Sequence, residues 1–145
     1  MTRLESQLPD LADKLRRAST AKQRAASVAA SEFAIARAKV EHPLVMRAME
    51  KVRATGVLTA KEKAELDALV AQLDGEYFDS QEAAEEGRAA AGDYIRPFGQ
   101  ARAVAALSFA GNDDALEAAT EAIYEAAAAT DDKEQLSALV QSVLR

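Results

Sequence analysis

The chain has 145 residues, 49% hydrophobic and 29% charged, with a formal net charge of −6, a single His and no Cys or Trp. That length suits one domain with a core of its own. The lack of Cys excludes disulfides, thiolate nucleophiles and Cys-ligated zinc, and no apolar run reaches the ~20 residues needed to cross a bilayer.

The start of the chain, MTRLESQLPD, has no apolar stretch of the secretory kind, so the protein is expected in the cytoplasm and away from membranes. Alanine fills 35 positions, and Glu, Lys, Arg, Gln and Leu supply much of the rest. These are the strongest helix formers. Strand-forming residues never alternate over the length of a strand. The expectation is an all-α fold: a compact bundle or array of six to seven helices in one domain, residues 1–145.

A long N-terminal helix is predicted first, with Pro9 in a first turn and Ser6 or Leu8 near its cap. Leu4, Leu8, Leu11, Leu15 and Ala18 follow 4-3-4-3 spacing. The seam continues through Ala25, Ala29, Phe33, Ala36 and Val40, with a break admitted at Ser19-Thr20. His42-Pro43 stops it. A helix from about Leu44 to Ala54 turns Leu44, Val45, Ala48, Met49 and Val52 inward, and Gly56 ends it. Thr59 and Glu62 have the spacing of a capping box for a third helix, whose stripe is Leu66, Leu69, Val70 and Leu73. Gly75 ends or bends that helix.

Residues 76–92 then read as a polar helix. Pro97 forces a kink or a new start. The helix that follows, to Ala110, is the least polar and is expected at the centre of the core, with Phe98, Ala101, Ala105 and Phe109 on one face. Gly111 with Asn112, Asp113 and Asp114 marks a stop and a new cap. Leu116, Ala119, Ile123 and Ala126 face inward on the sixth helix. Leu136, Leu139, Val140 and Val143 do so on the last.

Chemistry-bearing patterns are few. One His cannot build a His-based metal site, and the paired Glu-x-x-His motifs of di-iron bundles are absent. His42 therefore reads as a surface or capping residue. No Gly-rich phosphate loop, nucleophile elbow or Ser/His/Asp set is present, so no catalytic, cofactor-binding or metal residue is assigned and the chain is not read as an enzyme.

Two carboxylate rows do occur at helical spacing. Asp79, Glu82 and Glu86 form one, flanked by Glu76 and Glu85; Asp114, Glu117, Glu121 and Glu125 form the other. Each is read as a solvated face that doubles as a negative ridge for a Lys/Arg-rich surface. Tyr94, Arg96, Phe98 and Arg102 add the residue types that dominate binding hot spots; core anchoring is the competing use. Residues 1–60 carry 11 Lys/Arg against 6 Asp/Glu (+5) and residues 61–145 carry 7 against 18 (−11). The plain reading is that the halves pack together and compensate.

Lys14, Arg16, Arg17, Lys22 and Arg24 make the first helix basic. They come without stacking aromatics or a groove-reading motif, so no nucleic-acid partner is expected. The reading that results is a small acidic protein-binding module of the inhibitor, immunity or antitoxin type, docking on a basic protein. The alternative is a structural or assembly protein that self-associates, as a homo-oligomer, through the seam of the N-terminal helix.

Overall fold

The computed structural model describes residues 2–87 and 95–145. Among these, eight helices and no strand occur: α1 Arg3–Gln7, α2 Pro9–Arg17, α3 Thr20–Ala38, α4 Pro43–Thr55, α5 Ala60–Glu85, α6 Ile95–Ala110, α7 Ala115–Thr130 and α8 Lys133–Leu144. The all-α array is as expected, with one helix more than the upper expected count. The N-terminal segment supplies two helices beyond expectation, and two expected helices merge into α5.

The long first helix is three helices. Leu8 leaves the helical region (φ −138°, ψ 68°) ahead of Pro9, where the proline ring disfavours helical backbone at the preceding residue. Ser19 makes the second break as an N-cap whose Oγ accepts from the Lys22 N–H at 3.2 Å. The heptad seam does not survive that break. Leu4, Leu11 and Leu15 are buried as expected, but on α3 Ala25 and Ala36 are exposed and Gln23, Ala26, Ser27, Ala30, Ser31, Ala34 and Ile35 turn inward. The phase restarts at Ser19, and alanines on every side of the helix leave the pattern unable to report it.

Other boundaries follow local chemistry. His42 caps α4, its Nδ1 accepting from the Leu44 N–H at 3.1 Å. Gly56 closes α4 at φ +80°, a conformation that favours glycine. Thr59 and Glu62 form the capping box of α5. That helix does not stop or divide at Gly75; it runs on to Glu85, so the expected separate helix from residue 76 is its last turns. A Cβ on Gly75 would meet nothing within 4 Å, so nothing there forces a bend. The described part of α6 starts at Ile95 and includes Pro97.

α6 is the central element, packed against α3, α5 and α7. From Ala101 to Ala110 only Arg102 and Phe109 escape full burial. The packing is close because the facing residues are small. Ser31 Oγ on α3 comes within 3.4 Å of the Ala106 carbonyl on α6. A Cβ added to Gly99 would stand 3.1 Å from the Ala129 carbonyl on α7. At the end of α6, Gly111 admits the Leu58 side chain where a Cβ would meet it at 2.5 Å, while the Leu58 N–H donates to the Gly111 carbonyl at 3.0 Å. Arg24 then ties the same corner together. Its guanidinium donates to the carbonyls of Gly56 (2.9 Å), Asn112 (2.6 Å) and Asp113 (2.5 Å).

Glu62 links the start of α5 to α4. The backbone N–H of Thr59, the Lys51 ammonium and the Thr59 hydroxyl hold its carboxyl down to about pKa 2, from an ordinary 4.5. Because the folded value is the lower one, the stability this carboxylate contributes is complete above pH 4.5 and is lost as pH falls from 4.5 towards 2. Urea unfolding midpoints should therefore drop over that interval, and Glu62→Gln should flatten this part of the decline. An unchanged acid limb in the variant would show that Glu62 is not a source of it.

Candidate functional site

The two carboxylate rows have different fates. On α7, Asp114 is the exposed N-cap, accepting from the Glu117 N–H at 2.9 Å, and Glu117 is exposed. Glu121 is half-buried and ion-paired with Arg3. Glu125 is only 3% exposed. Its Oε1 accepts from Arg3 at 3.3 Å and its Oε2 from Arg102 at 3.2 Å. Arg102 also reaches both oxygens of Asp74 at 3.2 Å. The Arg3 guanidinium lies 4.0 Å from the centre of the Tyr124 ring.

The result is a chain of alternating charge, Asp74–Arg102–Glu125–Arg3–Glu121, across α5, α6, α7 and α1. Partial burial of Arg3 works to lower its pKa, but the carboxylates of Glu121 and Glu125 outweigh that and raise it above the ordinary value. The expected ridge along α7 is thus exposed only over its first turn. The 3-4-4 spacing does place the four acids on one face. It carries no sign that α1 and α6 would each lay an arginine over the far end. Arg102, expected in a binding cluster, is committed to that network.

The α5 row is open. Asp79, Glu82 and Glu86 are exposed, as are Glu76 and Glu85. Beyond Leu73 no described residue of α5 is fully buried. The helix carries no Lys or Arg in its last turn, so Glu82, Glu85 and Glu86 lie at the end where the helix dipole disfavours negative charge. Among them stands Phe78, 62% exposed. Tyr77 packs edge-on to Phe78 (5.1 Å between ring centres, 61°) and against Phe98 of α6 (5.4 Å, 49°). Phe98 is therefore no core anchor, being 38% exposed, and Arg96 is exposed on the same first turn of α6. Tyr94 lies outside the described residues.

Sequence reasoning missed the structural roles of Arg3 and Arg24, since an isolated Arg has no helical partner pattern to betray it. Among the described residues no group of three or more His, Asp or Glu is placed to hold a metal ion, and no helix is long and apolar enough to cross a membrane. A cavity of about 360 Å³ between α5, α6 and α7 is lined by Lys63, Asp67, Arg102, Ser108 and Glu125 among others. Its carboxylates are engaged: Asp67 accepts from the Ser108 hydroxyl at 2.8 Å, and Glu125 is held by the two arginines. No protein-family model, curated protein or solved structure matches the chain.

Removing the carboxylate at the centre of the network leaves Arg3 and Arg102 without their shared counter-charge. Glu125→Ala should cost about 2–4 kcal/mol, near the lower end for a broken buried pair because both arginines keep some solvent. Glu117→Ala on the exposed part of the row should stay within about 0.5 kcal/mol. Urea titration compares them; equal effects would contradict the assignment.

Proposed function

We propose that the chain is a protein-binding module of the inhibitor or antitoxin type that docks the C-terminal half of α5, with the start of α6, on a basic partner protein. The observation that carries this reading is Phe78, a large apolar ring held out in solvent within a row of exposed carboxylates. Exposed aromatic anchors ringed by polar groups are characteristic of binding hot spots. The acids around it steer a cationic surface and favour association at low salt.

Helix stability does not account for Glu82, Glu85 and Glu86, because their placement at the C-terminal end of α5 is electrostatically unfavourable. Local choices that conflict with folding are expected at functional positions, and partner cations would relieve the conflict. Arg96 and Phe98 extend the patch across α6. Asp114 and Glu117 are also exposed but lie at the start of α7, away from the Phe98 end of α6, which packs near Ala129. Self-association through the N-terminal seam has less support: Leu4, Leu11 and Leu15 are buried within the chain itself.

The test is a titration of the partner recovered with the tagged protein at low salt. Phe78→Ala is expected to weaken it by about 2 kcal/mol, roughly thirtyfold, and Asp79→Lys/Glu82→Lys to weaken it and reduce its salt dependence, with melting temperatures unchanged. A partner bound equally well by the wild type and both variants would refute this docking surface.

A further inference from the structure

A second surface carries the opposite sign. The break between α2 and α3 and the end of α8 enclose an open cavity of about 650 Å³, a volume in the range of small-molecule sites. Four cationic residues line it, Lys14 and Arg17 from α2, Lys22 from α3 and Arg145 after α8, and no Asp or Glu side chain does. This is a local excess of positive charge on a chain whose net charge is −6.

The lysines are positioned without being neutralised. Lys14 Nζ donates to the Gln141 side-chain oxygen at 3.0 Å and Lys22 Nζ to the Leu144 carbonyl at 3.3 Å. Each ammonium has three donors, so each keeps two. Arg17 has a carboxylate neighbour, Asp13 at 2.7 Å.

Helix stability explains part of the cluster. Lys14 and Arg17 lie in the last turn of α2, where the dipole favours cations. Lys22 stands in the first turn of α3, where the dipole of its own helix opposes a cation, and its ammonium reaches the C-terminal carbonyl of α8, where that helix's dipole favours one. Like charges gathered around a concave space repel, and a polyanion seated between them removes that repulsion while satisfying the spare donors.

We propose that this cavity binds a small phosphate-bearing molecule, with Lys14 and Lys22 as the principal contacts and Arg17 and Arg145 at its rim. The cavity is local, unlike the long basic track that a nucleic-acid strand needs.

Calorimetric titration of the full chain with pyrophosphate, at constant ionic strength set by chloride, tests this. Binding is expected for the wild type and for Arg47→Ala, which removes an exposed cation elsewhere. It should weaken about tenfold or more in Lys14→Ala/Lys22→Ala, with circular dichroism confirming the fold. Lys22→Gln alone, followed by the pyrophosphate-induced rise in melting temperature, gives a second measure should the double variant unfold; a smaller rise than in the wild type is expected. No binding by the wild type, equal binding by the cavity variants, or binding of a single-stranded oligonucleotide in place of pyrophosphate would overturn the proposal.

Discussion

Close approach of three helices built from small residues is the constraint on which the rest of the molecule depends. α3 presents Ala26, Ser27, Ala30, Ser31 and Ala34 as buried residues, α6 presents Ala103, Ala105, Ala106 and Ala110, and α7 presents Ala118, Ala119, Ala122 and Ala126. Each alanine removes little apolar area from water, so cohesion comes from many short-range contacts between backbones and methyl groups. Such packing leaves no slack. Larger side chains are buried among and around them: Val104, Leu107 and Ile123 on α6 and α7, and Leu15, Val45, Val52, Leu66, Leu136 and Val140 on the other helices. The buried hydroxyls fit because Ser27 and Ser31 bond back to carbonyls one turn earlier, at 3.2 and 2.9 Å.

This arrangement sorts the charges. The basic N-terminal part meets the acidic remainder through Arg3 with Glu121 and Glu125, Arg37 with Asp132, and Lys51 with Glu62. The halves thus compensate in part, as the charge split suggested. What compensation leaves over is informative. The last turns of α5 keep their acids and an exposed aromatic ring, and the α2–α3 junction keeps its lysines. Both charged surfaces lie where helices end or leave the core, away from the close-packed centre.

Punctuation was legible and phase was not. Ser19, His42-Pro43, Gly56, Thr59 with Glu62, and Asp114 each mark a boundary by a local backbone requirement, and each is found where that requirement places it. Leu and Val stripes on α4, α5 and α8 were readable because large residues contrast with their neighbours, but on α8 only Leu136 and Val140 are buried, and Leu139, expected inward, is exposed because it projects off their face. On α3 the contrast vanished, since alanine serves equally in a core and on a surface. Nothing in the spacing marks Ser27 and Ser31 as interior, yet both are buried. The same limit applies to the candidate site. Spacing put Glu121 and Glu125 on the face of Asp114 and Glu117, yet the arginines that cover them come from elsewhere in the chain. Phe98 of the expected cluster packs against Tyr77, while Arg102, one turn on, serves the ion network.

In the proposed docking, a patch on the outside of such an array binds without the core moving. That rigidity rests on the small-residue faces, and the most direct measurement enlarges one of them. Urea unfolding of Ala106→Leu, facing α3 from α6, should be compared with Ala25→Leu on the exposed side of α3. The close-packed centre requires a loss of about 2 kcal/mol or more at Ala106 and a change within about 0.5 kcal/mol at Ala25. An Ala106→Leu protein as stable as the Ala25→Leu control would contradict it.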